Sequence, residues 1–181
     1  MKIVNSDDIF EKLLDKEGLS KKMPESEKEP RDIVRAKAKR LTSAKKANFI
    51  EGRLGLIIDG TGKDYDKIAR QATKLKQLGY DTHMIFVNTS LDVALERNAK
   101  RDRTVPESIA IKSWNDVQRN IGKFSQYFRQ NFVVVDNNDP LENDGMIFNS
   151  VFKQIKRLAN KKPTSKVAMA WIANELKKKK R

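Results

Sequence analysis

Five polar side chains stand at or just past the ends of short apolar runs: Asn5, Asp7, Asp59, Asn88 and Asp136. In a parallel sheet the carboxyl ends of all strands share one edge. Side chains placed there converge even when they are far apart in sequence, and ligands of open α/β sheets bind at that edge. Three arginines, Arg97, Arg101 and Arg103, lie within Glu96–Pro106. Arg97 and Arg101 are four apart and share one helical face. Arg103 follows at the helix end. Guanidinium groups in such an array clamp phosphoryl oxygens and neutralise charge that builds during their transfer. The competing assignments are ordinary ones: Asp and Asn as helix caps and turn formers, and the arginines as a solvated basic helix.

The run Gly55-Leu56-Ile57-Ile58-Asp59-Gly60-Thr61-Gly62 joins an apolar stretch to a carboxylate and a glycine turn. It is not a phosphate cradle of the form G-x-x-x-x-G-K-[ST]. Ile57 occupies the first glycine's place, and Asp64 stands where a hydroxyl would meet magnesium. Gly60, Thr61 and Gly62 instead suit close approach of the backbone to a ligand. No other segment of the 181 residues supplies the cradle. Lone His83 reads as structural, and Trp114 and Trp171 as core residues.

Four runs must carry these groups: Lys2–Asn5, Gly55–Asp59, His83–Asn88 and Asn131–Asp136. Their near-continuous apolarity predicts strands buried on both faces, hence a parallel sheet. The segments between them have helical periodicity, the βαβ grammar. Expected helices cover Asp7 to Glu17 with Gly18 as stop, Arg31 to Phe49, Asp64 to Leu78 closing at Gly79, Leu91 to Lys100, a stretch beginning near Pro106 and ending by Arg129, and Gly145 to Ala159. In the second, Ile33, Ala36, Ala38, Leu41, Ala44 and Ala47 are available for packing. In the fifth, the apolar stripe is Ile109, Trp114, Val117, Ile121, Phe124 and Phe128. Residues 20–30 read as a loop and Asn137–Pro140 as a turn. Ser165 is placed to cap a terminal amphipathic helix. The expected organisation is an α/β domain over 1–160 and a basic helical tail over 161–181.

The length suits one core. No apolar run approaches the roughly 18 residues of a membrane span. Met1-Lys2-Ile3-Val4 leads to Asp7-Asp8 without a leader pattern. There is no cysteine, which excludes disulfides and thiolate metal sites. These features suit a cytoplasmic setting without membrane contact. The formal net charge is +14, and residues 161–181 hold eight Lys or Arg against Glu175 alone, a net +7. Lys177, Lys178, Lys179, Lys180 and Arg181 end the chain as a block that attracts nucleic acid by counterion release, or that simply frays in solvent.

Together these residues resemble zeta-toxin-like P-loop kinases, including related kinase-like proteins of tailed phages. The resemblance covers Ile3 to Asp136. It rests on Val4-Asn5-Ser6-Asp7-Asp8-Ile9-Phe10, Leu56–Gly62, Gly79-Tyr80, Val87-Asn88-Thr89 and the segment holding the three arginines. It implies a three-layer, open, mostly parallel α/β sheet and transfer of the γ-phosphoryl of ATP or GTP, with Mg2+, to a hydroxyl. It implies Asp7 as general base, Asp59 as a carboxylate near metal and substrate, and Arg97, Arg101 and Arg103 as phosphate contacts in a lid. In that family a strand, the phosphate-binding loop and a helix precede the part matched here. A missing first strand would lie inside the sheet, between the runs 55–59 and 83–88. Three expectations follow: a fragment of a longer kinase, a partner chain that supplies strand and loop, or a non-enzymatic nucleic-acid-binding or virion-associated module. A phage-encoded chain would work in the host cytoplasm.

Overall fold

The structure is a computed structural model that describes residues 1–138 and 144–179. The chain is a mixed α/β protein. Its elements in order are β1 (Lys2–Val4), α1 (Asp7–Lys16), α2 (Lys28–Glu51), β2 (Leu56–Ile58), α3 (Tyr65–Gln77), β3 (Met84–Asn88), α4 (Leu91–Lys100), α5 (Glu107–Phe128), β4 (Phe132–Asp136), α6 (Asp144–Asn160) and α7 (Lys166–Lys178). Short 3-10 turns occur at Glu25–Glu27 and Arg129–Asn131. The four strands pair in parallel, two and two: β1 with β2, and β3 with β4. No ladder joins the pairs among the described residues.

Two compact units result: Met1–Thr61 with Leu91–Lys112, and Gly62–Ser90 with the chain from Ser113 onward. In the first unit, Phe10 and Leu14 lie one turn apart on α1. They pack with Val34 and Ala38, one turn apart on α2, and all four are buried. This stripe is narrower than the periodicity of α2 suggested. Ile33 is 72% exposed because it sits off the face that Val34 and Ala38 turn toward α1; Leu41 shares that face one turn further along and is 43% exposed. The helix also starts earlier than expected and takes in Pro30, which its first turn tolerates because no intrahelical donor is needed there. Gly18, at φ +67°, ends the α1 region in a left-handed turn.

In the second unit, Phe86 of β3, Phe124 and Phe128 of α5 and Ala72 of α3 form the buried centre. Tyr65 and Phe132 extend it as tilted aromatic pairs, with centroids 5.4 Å from Phe124 and 5.9 Å from Phe86 respectively. Asp64 caps α3 by accepting from the Lys67 N–H at 2.9 Å. Ser165 caps α7 as anticipated, accepting from the Ala168 N–H at 3.2 Å. Gly79, at φ +97°, lies against that first turn: a Cβ built there would sit 2.8 Å from the Ala168 nitrogen.

The strands are not buried on both faces. Ile3, Ile57, Val87 and Val134 are exposed. A two-stranded pair needs further strands or helices to cover its second face, and the described elements leave these positions open.

Candidate functional site

The first unit builds its polar site where β1 turns into α1. The Asn5 side-chain oxygen accepts from the Asp7 N–H at 2.7 Å, a local turn that starts the helix. The Asp7 carboxylate is then held from two directions. Arg35 on α2 donates from Nη1 to Oδ1 at 2.8 Å, and Arg103 donates from Nη2 to Oδ2 at 3.1 Å. Arg103 also donates from Nε to Glu11 Oε1 at 2.8 Å. Its side chain is only 17% exposed, against 43% for Asp7. The Arg35 guanidinium lies 3.8 Å from the centroid of the Phe10 ring, a cation–π contact that fixes its approach to Asp7. Each Asp7 oxygen keeps lone-pair capacity beyond its guanidinium partner.

Arg103 is carried by a segment that folds back on α4. The Asn98 amide donates to the Val105 carbonyl at 2.7 Å, and its oxygen accepts from the Val105 N–H at 2.9 Å. Lys22 Nζ donates to the Arg101 carbonyl at 3.1 Å. Beside this segment lies a cavity of about 320 Å³ lined by Glu11, Lys21, Arg101, Asp102 and Arg103. A hydrogen bond and charge pairing with Asp15, at 3.0 Å, raise the Lys21 ammonium above the usual lysine range. Arg97 is half-buried on α4.

Asp59 follows β2. Its N–H donates to the Val4 carbonyl at 3.0 Å, continuing the ladder past Ile58 and bringing Asp59 beside the Asn5 end of β1. Its side chain is exposed, and no bond joins it to Asp7 or to the arginines among the described residues. Gly60 and Thr61 are exposed, and a Cβ at Gly60 would meet nothing within 4 Å. Gly62 belongs to the second unit. There it adopts φ +78°, and the Gly62 and Lys63 carbonyls accept from the Asn120 amide at 3.1 and 3.0 Å. Among the described residues, no group of three or more Asp, Glu or His side chains gathers to cage a metal.

The carboxyl ends of β3 and β4 are used locally. Asn88 accepts from Gln118 at 2.9 Å, and Asp136 accepts from the Asn138 amide at 2.6 Å. Asn138 in turn accepts from the Ser90 N–H at 2.6 Å. Trp114 donates to the Thr89 carbonyl at 2.9 Å. At the opposite ends of these strands His83 lines a larger cavity. Partial burial holds the His83 imidazole below the usual histidine range; the Asp81 carboxylate opposes the shift and Lys161 adds to it. Of the basic terminus, Lys177 and Lys178 form the last turn of α7, Lys178 pairing with Glu175 at 2.7 Å, and Lys179 follows. Lys180, Arg181 and the Asp139–Pro140 half of the expected turn lie outside the described residues.

Of the residues singled out in the sequence, the structure brings Asp7 and Arg103 together in one cluster, with Arg101 at the adjoining cavity. The sequence reading misses Arg35, Glu11 and Asn120. Nothing in the sequence sets the register of α2 on α1, so Arg35 carried no signal. Asn120 did carry one: it is a polar residue inside the Val117–Phe124 apolar stripe.

The family model described as Zeta toxin matches residues 14–144. Asp59 and the three arginines fall inside the match, while Asp7 and Glu11 precede it. No curated protein and no solved structure matches the chain.

Proposed function

The chain belongs to the zeta toxin family, and on that premise we propose that it carries the acceptor side and the arginine clamp of an ATP- or GTP-dependent phosphotransferase. Asp7 would accept the proton of the attacking hydroxyl. Arg97, Arg101 and Arg103 would hold nucleotide phosphates, Asp59 would contribute to Mg2+, and Gly60, Thr61 and Gly62 would flank the acceptor. A bound nucleotide with Mg2+ supplies the phosphoryl group itself. The donor set fits the phosphoryl end of a nucleotide: three guanidinium groups lie within seven residues, and an exposed carboxylate follows a strand. It lacks G-x-x-x-x-G-K-[ST], so phosphoryl transfer would require a phosphate-binding loop from further polypeptide, in the same chain or a partner, while nucleotide binding itself would rest on the arginines. The pairing of the strands two by two supports a three-layer fold to which one more strand belongs.

The observation that carries this reading is the grip of Arg103 on Asp7, which brings a lid guanidinium to the proposed base across 96 residues of sequence. Calorimetric titration with MgATP and MgGTP tests it. Saturable, magnesium-dependent binding is expected in the wild type and in Asp7→Asn, and a loss of at least tenfold in affinity in Arg101→Ala/Arg103→Ala. Equal binding by all three proteins, or none by any, refutes the assignment.

A second reading is favoured by the net +7 of residues 161–181. In it the fold is a nucleic-acid-binding module that uses Lys177, Lys178, Lys179, Lys180 and Arg181 without catalysis. Salt-sensitive binding of an oligonucleotide, with no nucleotide binding, would favour it.

A further inference from the structure

No acidic residue occurs between Asp144 and Glu175, while Lys153, Lys156, Arg157, Lys161, Lys162 and Lys166 do. The C-terminal half of α6 brings part of this charge to the amino ends of β3 and β4. There a cavity of about 740 Å³ opens. Ile85, Val133 and Leu158 give it an apolar floor. Its polar wall consists of four amides (Gln130, Asn131, Gln154 and Asn160), two cations (Arg157 and Lys161) and His83. Among the described residues, no carboxylate lines it. The side chains of the four amides, Arg157 and Lys161 make no hydrogen bond or ion pair with any described residue.

Two cations near a helix C-terminus are favourable on their own, because they complement its exposed carbonyls. That accounts for Arg157 and Lys161 but not for four amide residues along the same cavity. Amides supply donors and acceptors in fixed directions. Combined with two cations, and with an imidazole kept neutral by burial, they suit a ligand that is anionic and also rich in hydroxyl and ester oxygens. Among the described residues the cavity has no aromatic wall on which a base could stack, so recognition would be of sugar and phosphate. The basic stretch flanking the cavity favours a chain of phosphates over a single one.

We propose that the second unit binds the sugar-phosphate backbone of a single-stranded nucleic acid in this cleft, with Arg157 and Lys161 as the phosphate contacts and Gln154 and Asn160 as hydrogen-bond partners. The choice of polyanion rests on the second reading above; the site itself does not involve the terminal lysines. Arg157, Asn160 and Lys161 are exposed, so replacing them leaves the core intact.

The experiment is fluorescence anisotropy of a labelled 14-nucleotide single strand across a salt series. It compares the wild type, Arg157→Ala/Lys161→Ala, Gln154→Ala/Asn160→Ala, and a tail variant with residues 177–181 changed to Ala. Removing the two cations should weaken binding and lower the salt slope by about 1.4, at roughly 0.7 per phosphate contact on a single strand. The amide variant should weaken binding with the slope unchanged. If the tail variant alone abolishes binding and both cleft variants match wild type, the cleft is refuted while the second reading survives. If no variant and no wild type binds, both fail. Inorganic phosphate or AMP competing at the same molar concentration per phosphate as the strand would also overturn the proposal, by making the ligand a free phosphate compound.

Discussion

Arg103→Ala tests whether the cluster around Asp7 is a formed network. In the structure this guanidinium joins Asp7 and Glu11 through contacts of 3.1 and 2.8 Å, with the arginine 17% exposed and the carboxylates 43% and 41% exposed. Fully exposed pairs contribute about 0.2–1 kcal/mol, and well-shielded hydrogen bonds to charged groups about 1.5–3 kcal/mol. Two contacts between those limits give about 2 kcal/mol, after allowing for screening at the open carboxylates. Asp7 and Glu11 are also left facing each other at i and i+4 on α1, a further penalty of a few tenths of a kcal/mol. Asp7 retains Arg35, which limits the loss. For a chain of this length the change corresponds to a midpoint lowered by about 4–8 °C. Urea unfolding followed by circular dichroism measures it, with Arg103→Lys and Glu11→Ala completing the comparison. Lysine keeps the charge but not the fork, so it should recover about half of the loss. A cycle combining Arg103→Ala with Glu11→Ala should show coupling of at least about 0.5 kcal/mol. Strict additivity, or an Arg103→Ala protein within about 0.5 kcal/mol of wild type, would mean that the guanidinium does not hold these acids.

Two further outcomes follow from the second unit. Gly79→Ala places a methyl 2.8 Å from the Ala168 nitrogen at a φ of +97°, so the first turn of α7 must move away. Hydrogen exchange should accelerate across Lys166–Lys178 and leave α5 unchanged; unchanged α7 protection would contradict the packing. Burial lowers the His83 imidazole from its ordinary value near 6.5, so the unfolded chain binds its proton first as pH falls. Stability should therefore be fully present above about 6.5 and decline below it until the folded-state value is passed. His83→Gln should flatten that part of the pH–stability curve, and an identical curve would exclude the imidazole as its source.

Much of this was legible in the residues. The β-branched runs named all four strands to within one or two residues, because two to four continuous apolar positions closed by a polar side chain leave few alternatives. Gly18, Gly79 and Ser165 marked helix ends by chemistry that acts within one turn. Pairing was harder. The runs predicted a single parallel sheet, whereas β1 with β2 and β3 with β4 form separate ladders among the described residues. Which strands bond is fixed by tertiary packing that no local pattern encodes. The site divided along the same line. Asp7 could be found at a strand end, and Arg103 in a cluster of like residues. Their bond to each other, and the intrusion of Arg35, depend on how α1, α2 and the 101–105 segment lie in space. Asn88 and Asp136 had the same sequence credentials as Asp7, yet Asn88 accepts from Gln118 and Asp136 closes a turn with Asn138.

The closure of Asn98 on Val105 divides the work of this region between two kinds of force. An uncharged amide, bonded in both directions, sets where the arm bearing Arg103 stands. Rising ionic strength barely touches such a bond, while it shortens the reach of the attraction between Arg103 and its acids to about a Debye length of 8 Å or less. Brine should therefore loosen what the arm grips without moving the arm, leaving a guanidinium in place and ready for a different anion.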